Sequence, residues 1–86
     1  MKIYWSGESK NIIGAKVRSL RKARGLTQKQ VATQMQLTGL DMTELTVLRI
    51  ENGTRFVPDY EVKALAQLFR VSYAELLDAE DTEARL

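Results

Sequence analysis

Apolar residues along this chain recur at intervals of three and four, not in alternation, and that period predicts helices throughout. Ile13, Val17 and Leu20 stand at i, i+4 and i+7, on one face of a first helix that ends near Gly25, a residue suited to the C′ position. The stretch "LTQKQV" then carries three start signals together: Thr27 as N-cap, Gln30 to close a capping box, and Leu26 with Val31 as a hydrophobic staple. Val31, Ala32 and Met35 form the buried stripe of this short second helix, at about 27–36. A third helix, at about 43–52, is capped by Asp41 or Thr43, buries Val47 and Ile50 and stops at Asn52-Gly53. The fourth opens around Pro58 and Asp59 and aligns Val62, Leu65, Ala66 and Phe69. The fifth repeats the device of the second, with Ser72 as cap, Glu75 completing the box and Val71 stapled to Leu76.

Five short helices joined by tight turns predict a compact all-α domain over residues 11–78. The flanks read differently. Residues 1–10 form an N-terminal arm whose Tyr4 and Trp5 either lie on the domain or a partner, or belong to a disordered start. Residues 79–86 are an acidic C-terminal tail, expected to fray. Between helices two and three, "QLTGLDM" is a long connection; Leu37, Leu40 and Met42 are expected to pin it to the core while Gly39 takes a positive φ.

With 86 residues the chain has room for one modest core and one task. The absence of Cys rules out disulfides, thiolate chemistry and zinc ribbons, and the absence of His removes the commonest general base and metal ligand. Neither G-x-G-x-x-G nor G-x-x-x-x-G-K occurs. The expectation is a protein that is no enzyme and takes no cofactor or metal. No separate domain is left for a small-molecule effector, so none is expected. No apolar run approaches the roughly 20 residues that span a bilayer, and "MKIYW" does not resemble a signal peptide, so the expected location is cytoplasmic, away from the membrane.

The net charge of +2 conceals an uneven layout. Lys10, Lys16, Arg18, Arg21, Lys22, Arg24 and Lys29 make seven cations in a stretch without an acid, whereas residues 56–86 hold three cations and seven acids, a balance of −4. Such a dipolar molecule suits docking on a polyanion in one orientation; a merely solvated basic face is the plainer reading.

Helices two and three are short neighbours, the arrangement of a helix-turn-helix in which the second member enters the major groove. The segments "IGAKVRSLRKARGLTQKQVA", "TVLRIENG" and "LAQLFRVSYAELL" together resemble the lambda-repressor/Cro-type helix-turn-helix domain, the xenobiotic-response-element class, over about Ile12 to Leu77. The resemblance implies a five-helix DNA-binding domain with residue roles. Glu44, Leu45 and Arg49, with Thr46 beside them, match positions that face base edges. Gln28 matches a position that binds phosphate and braces the reading helix, and Asn52, Thr54 and Arg55 match backbone-contacting positions beyond it. Arg21 and Glu51 match a pair that ties helix one to helix three. The lengthened turn departs from the family's usual pattern by about five residues, a cheap change when doubling a loop costs only about 0.6 kcal/mol.

Elementary chemistry adds its own weight to several of these roles. The helix start at Thr27, Gln28 and Lys29 presents unpaired N–H groups to a phosphate. Arg49 can address guanine O6 and N7, or else form a surface ion pair. Glu44 would repel phosphate yet can accept from cytosine N4, and Leu45 suits a thymine methyl. The function implied is sequence-specific binding of double-stranded DNA by a transcriptional regulator, a repressor acting as a homodimer on half-sites about 34 Å apart. The competing reading is a protein-interaction module, an antirepressor or complex subunit, in which Glu44, Leu45 and Leu48 form a protein-binding face.

Overall fold

In the computed structural model, which describes residues 9–77, five α-helices and no strand occur among the described residues. They are α1 (Gly14–Ala23), α2 (Gln28–Leu37), α3 (Glu44–Glu51), α4 (Asp59–Phe69) and α5 (Tyr73–Leu77). Tyr4, Trp5 and the acidic tail lie outside the described residues.

Local chemistry accounts for where each helix begins. At α2 the Thr27 hydroxyl accepts the Gln30 main-chain N–H at 3.0 Å and the Gln30 side-chain Oε1 accepts the Thr27 N–H at 2.8 Å, so two orphan donors are satisfied reciprocally. The cap of α3 is Thr43, the second of the two expected candidates. Its box is closed by Thr46, a residue outside the usual Glu/Gln choice, with both backbone-to-hydroxyl bonds at 3.2 Å. Ser72 Oγ receives the Glu75 N–H at 3.0 Å ahead of α5. At the other end of α4, Arg70 takes the left-handed conformation, φ 58°, a position where Gly is the commoner choice.

The apolar stripes converge on one core. Ile13 at the N-cap of α1, Val17 and Leu20 from α1, Val31, Ala32 and Met35 from α2, Val47 and Ile50 from α3, Leu65, Ala66 and Phe69 from α4 and Leu76 from α5 are all buried together. Val62 is only partly buried at the edge of this cluster. α3 packs against both α1 and α2, which leaves its opposite face to solvent.

The long α2–α3 connection is ordered by its own bonds. Thr38 Oγ1 donates to Met35 O at 2.6 Å, Gln36 Nε2 donates to Met42 O at 2.7 Å, and Gly39 adopts φ 94°. Met42 is fully buried and Leu40 packs on the core. Leu37 corrects the sequence reading: it is the last residue of α2 and stands 76% exposed, because the helix carries it past the end of the buried stripe instead of into the loop.

α1 meets the end of α3 at Gly14, which is buried. A Cβ there would overlap the Ile50 carbonyl oxygen and lie 3.0 Å from that of Glu51. Asn11 clamps the same junction: its Nδ2 donates to Ile50 O (3.1 Å) and Arg55 O (2.8 Å), while its Oδ1 accepts from the N–H groups of Ile13 (3.1 Å) and Gly14 (2.8 Å). Lys10 N–H donates to Gly53 O at 2.7 Å, so the last residues of the segment read as an arm are already tied to the end of α3.

Candidate nucleic-acid interface

The α2–turn–α3 pair presents one exposed helix face with a second helix start beside it. Glu44, Leu45, Leu48 and Arg49 project from α3 into solvent, while Val47 and Ile50 hold its other side in the core. The Arg49 guanidinium and the Glu44 carboxylate have no hydrogen-bond or ion-pair partner among the described residues. A long cation held ready on an exposed helix face can reach a base edge; the alternative of a surface ion pair finds no partner within this part of the chain. Thr46 is half-buried and its hydroxyl is spent on the Thr43 cap. Glu44 also sits in the first turn of α3, where the helix dipole favours an acid whatever else it does.

Bracing behind this face is ionic. Arg21 Nε donates to Glu51 Oε2 at 2.6 Å and Nη2 to Oε1 at 3.1 Å, while Nη1 donates to Leu26 O at 2.9 Å. The carboxylate side chain is 4% exposed, so a charge almost removed from water is answered by a two-point fork. That hydrogen bond pushes the Arg21 guanidinium above its ordinary value, against the opposing pull of desolvation. Gln28 Nε2 donates to Glu51 Oε1 at 3.0 Å and thereby links the first turn of α2 to the last turn of α3.

Beyond α3, Asn52 Oδ1 accepts from Thr54 N (3.2 Å) and Thr54 Oγ1 (2.7 Å), and the Asn52 amide NH₂ has no acceptor among the described residues. Arg55 is engaged in a second ionic fork. Its Nη1 and Nη2 donate to Glu61 Oε1 at 2.6 Å and Oε2 at 3.1 Å, and Glu61 is 6% exposed. The hydrogen bond to Glu61 raises the Arg55 guanidinium from its ordinary value. Periodicity gave no sign of this pair; only the unusual acid inside the apolar stripe of α4 could have suggested it.

The basic stretch of α1 and α2 also divides once folded. Arg21 serves Glu51, Arg24 Nη2 donates to Phe69 O at 2.5 Å, and Lys10 Nζ stands 5.7 Å over the Phe56 ring. Lys16, Arg18, Lys22 and Lys29 have no such partner among the described residues. Thr27, Gln28 and Lys29 lie together at the start of α2, whose first-turn N–H groups point outward as on any helix.

With this geometry in place, comparison with known proteins places the chain. The sequence model of a helix-turn-helix domain matches residues 12–79. The chain is similar to the crystal structure of the DNA-binding domain of BldD, with a TM-score of 0.68 and 30% identity over 85% of this chain and 97% of that one. No curated protein matches it. The chain belongs to the helix-turn-helix domain family.

Proposed function

We propose that this protein is a transcriptional regulator that binds double-stranded DNA sequence-specifically, as a homodimeric repressor with α3 in the major groove. The observation that carries the reading is the exposed face of α3, whose Arg49 has no partner among the described residues, beside the outward start of α2. In this reading Arg49, Glu44 and Leu45 address base edges, with Thr46 acting mainly by fixing the turn from which they project. Lys29, the Thr27 hydroxyl and Gln28, through its main-chain N–H and the side-chain N–H that Glu51 leaves, take phosphates on one side. Asn52 and Thr54 take phosphates on the other, with Arg55 contributing whatever its fork to Glu61 leaves exposed.

Dimerisation is supported by an apolar face elsewhere on the molecule. Ile12, Phe56, Tyr73 and Leu77 are exposed around a groove floored by Ile13, Val57, Pro58 and Val62, a surface that a second copy would cover.

Selection of bound duplexes from a random pool tests the whole proposal, because it reports binding and half-site spacing together. On a selected duplex Arg49→Ala is expected to lose about 1–3 kcal/mol while random DNA is held almost as before. Equal losses on both duplexes would remove the base-reading role. A second reading, a protein-interaction module, is favoured by the acid and two leucines on the α3 face; no salt-dependent binding to any duplex, together with a co-purifying protein, would support it.

A further inference from the structure

Beside the first residue of α2 and the start of α3 lies an open hollow of about 410 Å³ lined by Gln28, Thr43, Glu44, Leu45 and Leu48. Leu45 and Leu48, 49% and 42% exposed, stand at i and i+3 and so share one wall. The polar groups here are mostly acceptors. Gln28 gives one amide N–H to Glu51 and keeps its carbonyl oxygen and a second N–H; the Thr43 hydroxyl is engaged with Thr46; and both oxygens of the Glu44 carboxylate are unclaimed among the described residues. The hollow thus offers acceptors against an apolar wall.

Major-groove edges differ in how they meet that combination. Guanine presents two acceptors, thymine an acceptor with a methyl, adenine an acceptor with a donor, and cytosine a donor alone. The full complement, a donor amine next to a methyl, exists on 5-methylcytosine, or across a step where a cytosine neighbours a thymine. We propose that this hollow is a specificity site for a cytosine amine flanked by a pyrimidine 5-methyl group, with Glu44 accepting from N4 and Leu45 and Leu48 enclosing the methyl. The inference rests on the DNA-binding reading above and adds Leu48 as a specificity-determining residue.

Burying one methyl is worth about fourfold in affinity at each site. The test uses a duplex pool enriched on the full chain and then amplified in three forms: with ordinary nucleotides, with deoxyuridine replacing thymidine, and with 5-methylcytosine replacing cytosine. Expected, for each half-site occupied, is about a fourfold weakening on the first exchange, about a fourfold strengthening on the second, or both, which also tells the neighbouring thymine from the methylated cytosine. In Leu45→Ala and Leu48→Ala, whose side chains are exposed and whose melting temperatures should match the parent, these differences shrink below about twofold. Three pools bound alike by the parent protein, or a methyl dependence that survives both leucine variants, would overturn the proposal while leaving DNA binding intact. Failure to enrich any duplex would remove the DNA-binding reading itself, and this site with it.

Discussion

Arg55 shows how a residue's chemistry depends on what the fold sets opposite it. A lone arginine after the reading helix is a natural phosphate ligand, but its fork here closes on the nearly buried Glu61. Removing the arginine strands a carboxylate inside the domain, so Arg55→Ala should destabilise by about 2–3 kcal/mol, which urea unfolding would register. A loss under about 0.5 kcal/mol, the range of ordinary surface changes, would mean that the pair is ornamental. Both paired guanidiniums, Arg21 and Arg55, are pushed up from their ordinary value. Their contribution is therefore complete below that value and is lost only as pH climbs through the raised one. No decline between neutral and mildly alkaline pH is expected from either arginine, a flatness that thermal melts over that interval would check.

For the elements, what matters is how closely the backbones approach. α3 is eight residues long, too short to persist alone, so its angle is set by the helices it packs on. Gly14 allows the α1 backbone to touch the last carbonyls of α3, and Asn11 bridges the same junction. Gly14→Ala would force the two helices apart, at a cost of about 1–3 kcal/mol, and would tilt the exposed face of α3. Both a lower melting temperature and weaker DNA binding are expected, measured well below the melt so that folding does not confound affinity. Gly53 is constrained twice over, by φ 80° and by Ser9 Oγ lying 2.6 Å from where a Cβ would stand. The helix ends were largely legible because caps act within four residues; the Thr46 box and the left-handed Arg70 were missed because each uses an uncommon residue for a common geometry.

For the whole molecule, charge and symmetry decide behaviour. The cations of α1, α2 and α3 whose side chains have no partner among the described residues, Lys16, Arg18, Lys22, Lys29 and Arg49, stand nearest the proposed interface to release counterions from DNA. Lys29→Ala is expected to flatten the plot of log affinity against log salt by about 0.9 for each protomer bound to duplex DNA, with stability unchanged. Arg24→Ala should leave that slope alone, since its guanidinium is held at the Phe69 carbonyl. Two-fold assembly through the apolar face predicts that Phe56→Glu yields monomers by sedimentation and binds an isolated half-site better than a full operator would suggest. A dimer that persists in that variant would direct attention to another surface.

Taken alone, the order of residues specified five helices, their caps and the stripes that form the core, because those features depend on neighbours a few positions away. Val47 and Ile50 could be assigned to the interior and Thr27 to a helix start without any knowledge of what surrounds them. Partnership over long separations was another matter: Asn11 with Ile50 and Arg55, Arg24 with Phe69, and Gln28 with Glu51 are joined only when the helices are packed. The basic stretch looked uniform as a string, and tertiary structure divided it into cations engaged within the domain, Lys10, Arg21 and Arg24, and cations left facing outward, Lys16, Arg18, Lys22 and Lys29. That division arises because a buried carboxylate or carbonyl must be satisfied wherever it lands, and where it lands is settled by packing rather than by position along the chain.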